Sequence, residues 1–161
     1  MSGSRLVLGL VGQICAGKST VAEALARRGA RVWSADRVVG ELYRREDVKA
    51  EVRALCGPRA VTRRGEVDRR RVAAKVFEDA DSFRVLTQRI IFPRLRPLLE
   101  RELAAFRARG GEAVLVLDAP TLFEAGREGC CDRTIFVAAP RARRVRWARQ
   151  ARGWSARELE R

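Results

Sequence analysis

The stretch GQICAGKST, residues 12–20, decides the fold of this chain. It fits the pattern G-x-x-x-x-G-K-[ST], in which backbone N–H groups turn inward around phosphate oxygens. The apolar run before it, residues 5–11, is typical of a buried strand. Residues 21–28 have helical character, and Gly29 is placed to end that helix. Strand, glycine loop and helix in this order predict a phosphate-binding loop (P-loop), where the helix N-terminus adds partial positive charge.

Each polar residue of this loop has an expected role in nucleotide binding. We expect Lys18 to reach the β- and γ-phosphates and the Ser19 hydroxyl to bind Mg²⁺. The alternative is a chance match in a glycine-rich turn. Only three of the 34 basic residues are lysines, so a lysine where a compact ammonium is needed favours the functional interpretation. The residues predicted to bind ATP are Gly12, Cys15, Ala16, Gly17, Lys18, Ser19 and Thr20.

Composition limits the class of protein. A length of 161 residues predicts one domain, or one domain with an inserted subdomain. The net charge of +14 suggests nucleic-acid binding, but the arginines are spread along the whole chain, which indicates a solvated basic surface. We therefore expect no specific nucleic-acid partner. No apolar run approaches the roughly 20 residues of a membrane span, and the N-terminus lacks the regions of a signal peptide. We expect a cytoplasmic protein without a membrane partner.

The residues available for acid–base and metal chemistry are few. The chain has no histidine, so any proton acceptor must be a carboxylate. The cysteines fit no metal-binding spacing, and without a secretion signal we interpret them as reduced thiols. They are Cys15, Cys56, Cys130 and Cys131.

Two carboxylates end predicted strands. Residues 31–36 read as a strand ending in Asp36, and residues 113–118 as the clearest buried strand, ending in Asp118. In open α/β sheets, ligands bind beyond the carboxyl ends of strands. Asp36 is therefore predicted near the phosphate loop, and Asp118 as the acidic residue that supports Mg²⁺. The alternative for Asp36 is a cap of the helix that follows, residues 37–45.

The region 48–110 reads as helical. A helix is predicted at 48–56, and another runs from a cap at Asp68 to residue 77. A long amphipathic helix at 82–109 is expected to be interrupted at Pro93 and Pro97. Gly110-Gly111 is its predicted stop. About 60 helical residues between two strands suggest a helical insertion at the sheet edge.

The last third of the chain contains one more strand and a basic helix. Residues 134–139 read as a strand, and Pro140 opens an arginine-dense helix that Gly153 ends. Ser155 and Glu158 have the spacing of a capping box. Only three residues follow, and isolated helices this short are not stable, so residues 154–161 should fray unless packed down.

Several segments together resemble the dephospho-coenzyme A kinase family. The matching segments are the loop region 9–21, the second strand 29–36, GEVDR at 65–69 with VF at 76–77, DAPTLFE at 118–124, and RGWS at 152–155. The resemblance implies an α/β fold: a three-layer P-loop kinase with a mainly parallel sheet, a helical insertion at about 48–110 and an arginine-rich lid at about 140–155. The resemblance implies that residues 1–161 form a single domain. The family pattern continues beyond this point, so we expect a chain shortened at its C-terminus.

The resemblance also implies an activity and further site residues. The activity is ATP- and Mg²⁺-dependent phosphorylation of the 3′-hydroxyl of dephospho-coenzyme A, a small-molecule substrate. Substrate binding is implied for Asp36, Asp68, Arg69 and Pro93, and catalytic roles for Lys18 and Asp36. Arg146 and Arg149 are the expected catalytic arginines of the lid, although the register from Pro140 assigns neither uniquely. For Asp68 and Arg69 the alternative is a helix cap and a surface ion pair.

Other functions remain compatible with the residues. Another P-loop small-molecule or nucleoside monophosphate kinase would use the same loop with a different acceptor pocket. A nucleotide-binding module with impaired turnover would bind ATP without transferring phosphate. The oligomeric state is unknown.

Overall fold

The computed structural model describes residues 5–108, 113–119 and 128–159. They form two compact units, one from the described residues within 1–34 and 106–161 and the other from residues 35–105. The strands are β1 Leu6–Gly12, β2 Arg31–Ser34, β3 Val114–Asp118 and β4 Arg133–Val137. The helices are α1 Lys18–Ala26, α2 Ala35–Leu42, α3 Glu46–Cys56, α4 Arg69–Glu78, α5 Ala80–Arg84, α6 Phe92–Ala108, α7 Arg141–Arg152 and α8 Ala156–Leu159.

The first unit is built on a parallel sheet with strand order β2-β3-β1-β4. Strands buried on both faces of a parallel sheet have continuous apolar sequences. The middle of β3, residues 115–117, is accordingly fully buried, and so is Leu10 of β1. The predicted mixed α/β class with a mainly parallel sheet is confirmed.

Two strands end earlier than the sequence pattern predicts. β2 ends at Ser34, which pairs with Asp118, the last residue of β3. β4 ends at Val137, which pairs with Gly12, the last residue of β1. A strand loses its hydrogen-bonding partners where its neighbour ends. The prediction that the second strand extends to Asp36 is therefore wrong, because Asp36 lies in the first turn of α2.

The second unit, Ala35–Ala105, is helical around its own core. Val48 and Val52 are one helical turn apart on α3 and are completely buried. The core also contains Leu42 of α2, Val72 of α4 and Leu86, Ile90 and Ile91. This unit contains most of the helical insertion expected at about 48–110. Whether the whole chain is a single domain stays a prediction.

The long helix predicted at 82–109 changes from α-helical to π-helical geometry before its first proline. Residues 85–91 form a π-helical segment, and the N–H of Phe92 donates to the carbonyl oxygen of Thr87, five residues earlier. Pro93 has no N–H to donate and follows this wide turn directly, in the first turn of α6. α6 then continues through Pro97, so the interruption predicted there is wrong. The predicted stop at Gly110-Gly111 lies outside the described residues.

The C-terminal helix is short but packed. The Ser155 N–H donates to a carboxylate oxygen of Glu158 at 2.7 Å, and the Glu158 N–H donates to Ser155 Oγ at 3.3 Å. The predicted capping box is confirmed. Leu159 is only 4% exposed, so burial stabilises a helix too short to persist alone.

Within the described ranges, no helix combines the length and apolar character that crossing a membrane requires.

Candidate functional site

The phosphate loop connects β1 to α1 in the first unit. Gly12 is at the end of β1, and Gly17 is the N-cap of α1 with a left-handed backbone. Cys15 also has a positive φ, 57°, which is uncommon for a residue with a side chain. The loop closes on itself through the Ala16 N–H, which donates to the carbonyl oxygen of Gln13 at 3.1 Å. These turns produce a compact loop.

Gly12 has a steric role that involves the neighbouring strand. A methyl group at this position would lie 2.2 Å from the carbonyl oxygen of Val137 in β4. The Gln13 N–H donates to the same oxygen at 3.2 Å. Only glycine allows this approach, and φ at Gly12 is +154°. The start of the loop is therefore held against β4.

Lys18 folds back over the loop. Its ammonium Nζ donates to the carbonyl oxygen of Gly12 at 3.3 Å, and its side chain is partly buried. This places a positive charge over the loop at the N-terminus of α1. Since Gly17 offers no side chain to cap α1, the N–H groups of the first turn are free of a side-chain acceptor. Backbone N–H groups, helix dipole and ammonium together suit a phosphate group.

The two predicted magnesium residues belong to the same unit. Ser19 is exposed in the first turn of α1, one residue after Lys18. Asp118 ends β3 and pairs with Leu10 of β1, two residues before Gly12. A hydroxyl and a carboxylate are oxygen ligands of the kind that Mg²⁺ prefers. Among the described residues, no cluster of three or more His, Cys, Asp or Glu side chains could hold a metal by itself. Phosphate oxygens and water would complete the octahedral ligand set that Mg²⁺ prefers.

α7 places an aromatic side chain next to the loop. A methyl group at Gly17 would lie 3.8 Å from Cζ3 of Trp147, so the indole is next to the N-cap of α1. Arg143 lies over the same ring at 5.8 Å. Arg146 and Arg149 flank Trp147 in sequence and are exposed to solvent. Trp147 had no role predicted from the sequence; an aromatic residue within an arginine-dense helix was the available signal.

The second unit has its own pocket, of about 930 Å³. Asp36 and Arg69 both line it, so the fold brings these two predicted residues together. Their segments are the first turn of α2 and the first residue of α4. The basic residues of the wall are Arg37, Arg44, Lys49, Arg64 and Arg69. Its carboxylates are Asp36, Glu41 and Glu66, so cations exceed anions and the wall suits an anionic ligand.

The other residues of this pocket wall were missed by the sequence analysis, and two of them, Gly40 and Tyr43, are informative. Gly40 and Tyr43 line the pocket beside Asp36. Their spacing, i, i+4 and i+7 from Asp36, puts all three on one face of a helix, and this was the available signal. Burial raises the pKa of Tyr43, and the positive charge of Arg69 opposes that shift.

Asp68 and Pro93 are not part of this pocket wall. Asp68 is the N-cap of α4, and its Oδ1 accepts the N–H groups of Arg70 and Arg71, each at 3.1 Å. Its second oxygen pairs with Nε of Arg71 at 3.2 Å. These contacts are the ones expected if Asp68 serves as a helix cap, which was the alternative to substrate binding. Pro93 is exposed on α6. Substrate roles for both stay predictions.

Comparison with known proteins gives a consistent result. The sequence model of the family described as Dephospho-CoA kinase matches residues 6–161. A dephospho-CoA kinase of Moorella thermoacetica is 40% identical over 135 residues, which cover 83% of this chain and 63% of that protein. A dephospho-CoA kinase of Thermus thermophilus is 36% identical over 154 residues, covering 96% of this chain and 71% of that one. The chain thus spans about two thirds of the length of these relatives.

Solved structures support the same fold. A Thermus thermophilus crystal structure is 35% identical, superposes with a TM-score of 0.78, and covers 98% of this chain and 78% of its own. The dephospho-CoA kinase of Campylobacter jejuni shares the fold with a TM-score of 0.64 at 17% identity, covering 96% and 76%. The predicted P-loop kinase fold is confirmed. The segment of the resemblance from residue 120 to residue 124 lies outside the described residues.

Proposed function

Because the chain belongs to the dephospho-CoA kinase family, we propose that it transfers the γ-phosphoryl group of ATP to the ribose 3′-hydroxyl of dephospho-CoA. The bond between the γ-phosphorus and its bridging oxygen breaks, and a bond to the 3′-oxygen forms. ADP leaves, and the hydroxyl proton passes to a carboxylate or to water. Phosphoryl transfer needs mainly alignment of the reactants and neutralisation of charge.

The observation that carries this proposal is the position of the Lys18 ammonium over the loop, 3.3 Å from the carbonyl oxygen of Gly12. A lysine held there neutralises charge on the transferring phosphoryl group. Gly12, Cys15, Ala16, Gly17 and Thr20 belong to the same loop or the helix turn after it, whose N–H groups bind the other phosphates.

The acceptor side of the reaction is assigned to the pocket of the second unit. Asp36 is exposed within it and accepts or orients the proton of the 3′-hydroxyl, since the chain has no histidine for this task. Arg69 in the same wall binds the anionic part of the acceptor. The excess of basic residues there supports a substrate that carries phosphates.

Magnesium and the lid are assigned to the phosphate side of the proposed reaction. Ser19 and Asp118 fit Mg²⁺ through their oxygens, and the ion when bound neutralises charge on the phosphates. Arg146 and Arg149 lie on the helix whose Trp147 reaches the loop, and we assign them to the phosphates of the closed lid. Cytoplasmic localisation and the lack of a specific nucleic-acid partner stay predictions.

The test is an ADP-release assay with dephospho-CoA against a panel of nucleosides, nucleoside monophosphates and sugars. We expect turnover with dephospho-CoA above every other acceptor, and a product with one added phosphate by mass spectrometry. Preference for another acceptor would identify a different small-molecule kinase. Binding of ATP without turnover on any acceptor would identify a nucleotide-binding module and contradict the proposal.

A further inference from the structure

The guanidinium of Arg69 is held between two residues of the second unit that the proposed reaction does not otherwise use. Its Cζ lies 5.6 Å from the centroid of the Tyr43 ring, within the range of a cation–π contact. Its terminal nitrogen lies over Gly40 of α2. Arg69, Tyr43 and Gly40 all line the same pocket.

Gly40 provides the space that the guanidinium occupies. A methyl group at Gly40 would lie 2.6 Å from Nη2 of Arg69, closer than real side chains approach. Gly40 has no positive φ, so its backbone conformation does not demand glycine. Glycine is also a poor residue for a helix interior. The contact with Arg69 is therefore the feature of the structure that explains a glycine here.

The Tyr43 ring stacks with the Arg69 guanidinium and is itself anchored in the core. Its ring packs against the buried core of the helical unit, which contains Leu42 and Val48. Burial of the phenol raises its pKa, which agrees with a ring held away from solvent. An anchored ring costs little further entropy when the guanidinium stacks on it. Arg69 therefore presents its nitrogens to the pocket in a restricted orientation.

We propose that Gly40 and Tyr43 are positioning residues that hold the Arg69 guanidinium ready for the diphosphate of dephospho-CoA. This rests on the proposed function. A planar guanidinium binds phosphate oxygens with two parallel hydrogen bonds, provided that its orientation is maintained. In the acceptor, the diphosphate is attached to the 5′-carbon of the same ribose that carries the 3′-hydroxyl.

The arrangement of α2 agrees with that chemistry. Asp36 is one helical turn before Gly40 and lines the same pocket. The same face of α2 thus carries the Asp36 carboxylate for the hydroxyl and, at Gly40, the space for the Arg69 guanidinium that binds the diphosphate. The ribose of the acceptor would lie between the two groups.

The experiment compares steady-state kinetics of five proteins: wild type, Gly40→Ala, Tyr43→Leu, Tyr43→Phe and Gly129→Ala. We expect Gly40→Ala and Tyr43→Leu to raise KM for dephospho-CoA about three- to tenfold, with kcat and KM for ATP nearly unchanged. Tyr43→Phe keeps the ring and should behave as wild type. Gly129→Ala is the matched control, because its added methyl group would contact none of the described residues within 4 Å.

A double-mutant cycle separates positioning from a merely structural effect. Arg69→Ala should raise KM for dephospho-CoA about ten- to a hundredfold. If Gly40 acts through Arg69, Gly40→Ala should add nothing in the Arg69→Ala background. Melting temperatures are measured alongside, and Gly40→Ala should not lower them, since alanine is the better helix residue.

Three results would overturn the proposal: an unchanged KM in Gly40→Ala and Tyr43→Leu, additive effects of Gly40→Ala and Arg69→Ala, or a raised KM in Tyr43→Phe equal to that in Tyr43→Leu. If wild type proves inactive on dephospho-CoA, the proposed function fails separately. Titration calorimetry then measures inorganic diphosphate binding in the presence of saturating MgADP, which occupies the loop. Weaker diphosphate binding by Gly40→Ala than by wild type would still support the positioning of Arg69 by Gly40, and equal binding would contradict it.

Discussion

The phosphate loop and the pocket of the helical unit are built in different ways. In the loop, the groups suited to phosphate are mainly backbone N–H groups from consecutive residues, with Lys18 as the added charge. The pocket is walled by residues from three separate segments, namely α2 with the two residues after it, α3, and residues 64–67 with Arg69. A loop made from backbone tolerates few changes of geometry, whereas a wall made from side chains can change one residue at a time. Substitutions should therefore affect the loop as a whole and the pocket residue by residue.

The largest effect is expected from the loop lysine. Lys18→Ala should lower kcat roughly 10²- to 10³-fold, because it removes a charge aimed at the transferring phosphoryl group. Lys18→Arg should also fail, since a planar fork does not replace a compact ammonium. The matched control is Lys75→Ala, whose ammonium pairs with Asp79 at 3.6 Å on the surface of the helical unit. Near-full activity of Lys18→Ala in steady-state assays would show that the phosphate-loop assignment is wrong.

A smaller effect, confined to one side of the reaction, is expected in the pocket. Asp36→Asn should reduce turnover about 10²-fold, because the amide cannot accept the hydroxyl proton. ATP affinity, measured by titration calorimetry, should stay almost unchanged, since the charge removed is on the acceptor side. A large loss of ATP affinity with unchanged turnover would instead place Asp36 in the nucleotide site and abolish the distinction between the two regions.

The backbone character of the loop can be tested through stability. Gly12→Ala should lower the free energy of unfolding by about 1–3 kcal/mol, because its methyl group meets the Val137 carbonyl. Gly29→Ala is the control: its φ is +90°, and within the described part of the chain a methyl group there would have no neighbour within 4 Å, so this variant tests backbone strain without a collision. Urea denaturation compares the two variants. A loss in Gly12→Ala no greater than in Gly29→Ala would mean that β4 adapts and does not restrain the loop.

The smallest effect concerns the ion pairs that join α3 to α6 in the helical unit. Hydrogen bonds from Arg45 chiefly, and from Arg94, lower the pKa of Asp47 to about 2 from its ordinary value of 3.8. Arg94 also pairs with Glu51 at 2.7 Å. A carboxyl whose pKa is lower in the folded state stabilises that state above the unfolded pKa, and the contribution disappears as the pH falls through the folded one.

Asp47→Asn should therefore lower the melting temperature slightly at pH 7, and the difference from wild type should shrink between about pH 4 and pH 2. Thermal denaturation over this range measures it. Asp81→Asn is the control, because the Asp81 carboxylate forms an exposed ion pair with neighbouring Arg84 at 3.0 Å, and such surface pairs contribute little to stability. A difference between Asp47→Asn and wild type that stays constant with pH would contradict the role of the Asp47 charge.

The local elements followed from the sequence to a useful degree. The loop between β1 and α1, the buried strand ending at Asp118, the Asp68 cap and the Ser155–Glu158 capping box are all where the sequence patterns place them. Each depends on residues within a few positions of one another. Their geometry is therefore set by short-range sterics and hydrogen bonds.

Two predictions about where elements end were wrong, and for β2 a distant segment is the reason. β2 ends at Ser34 because its neighbour β3 ends at Asp118, and that pairing joins residues far apart in sequence. α6 passes through Pro97, after a π-helical segment that the sequence pattern did not predict. In both cases the local pattern was interpreted correctly as strand or helix. For β2 the limit depended on pairing with a distant strand; the course of α6 through Pro97 has no such explanation in the structure.

By itself the sequence determined a P-loop, an α/β class and the family, because these depend on a consecutive motif and on the order of apolar runs. Only the tertiary structure decided that Gly12 must be glycine because of Val137, that Trp147 lies beside Gly17, and that Gly40 makes room for Arg69 on Tyr43. The reason is physical. A collision or a stacking contact exists only after folding brings two distant segments within a few ångströms, and a glycine in the sequence does not reveal which atom will fill the space beside it.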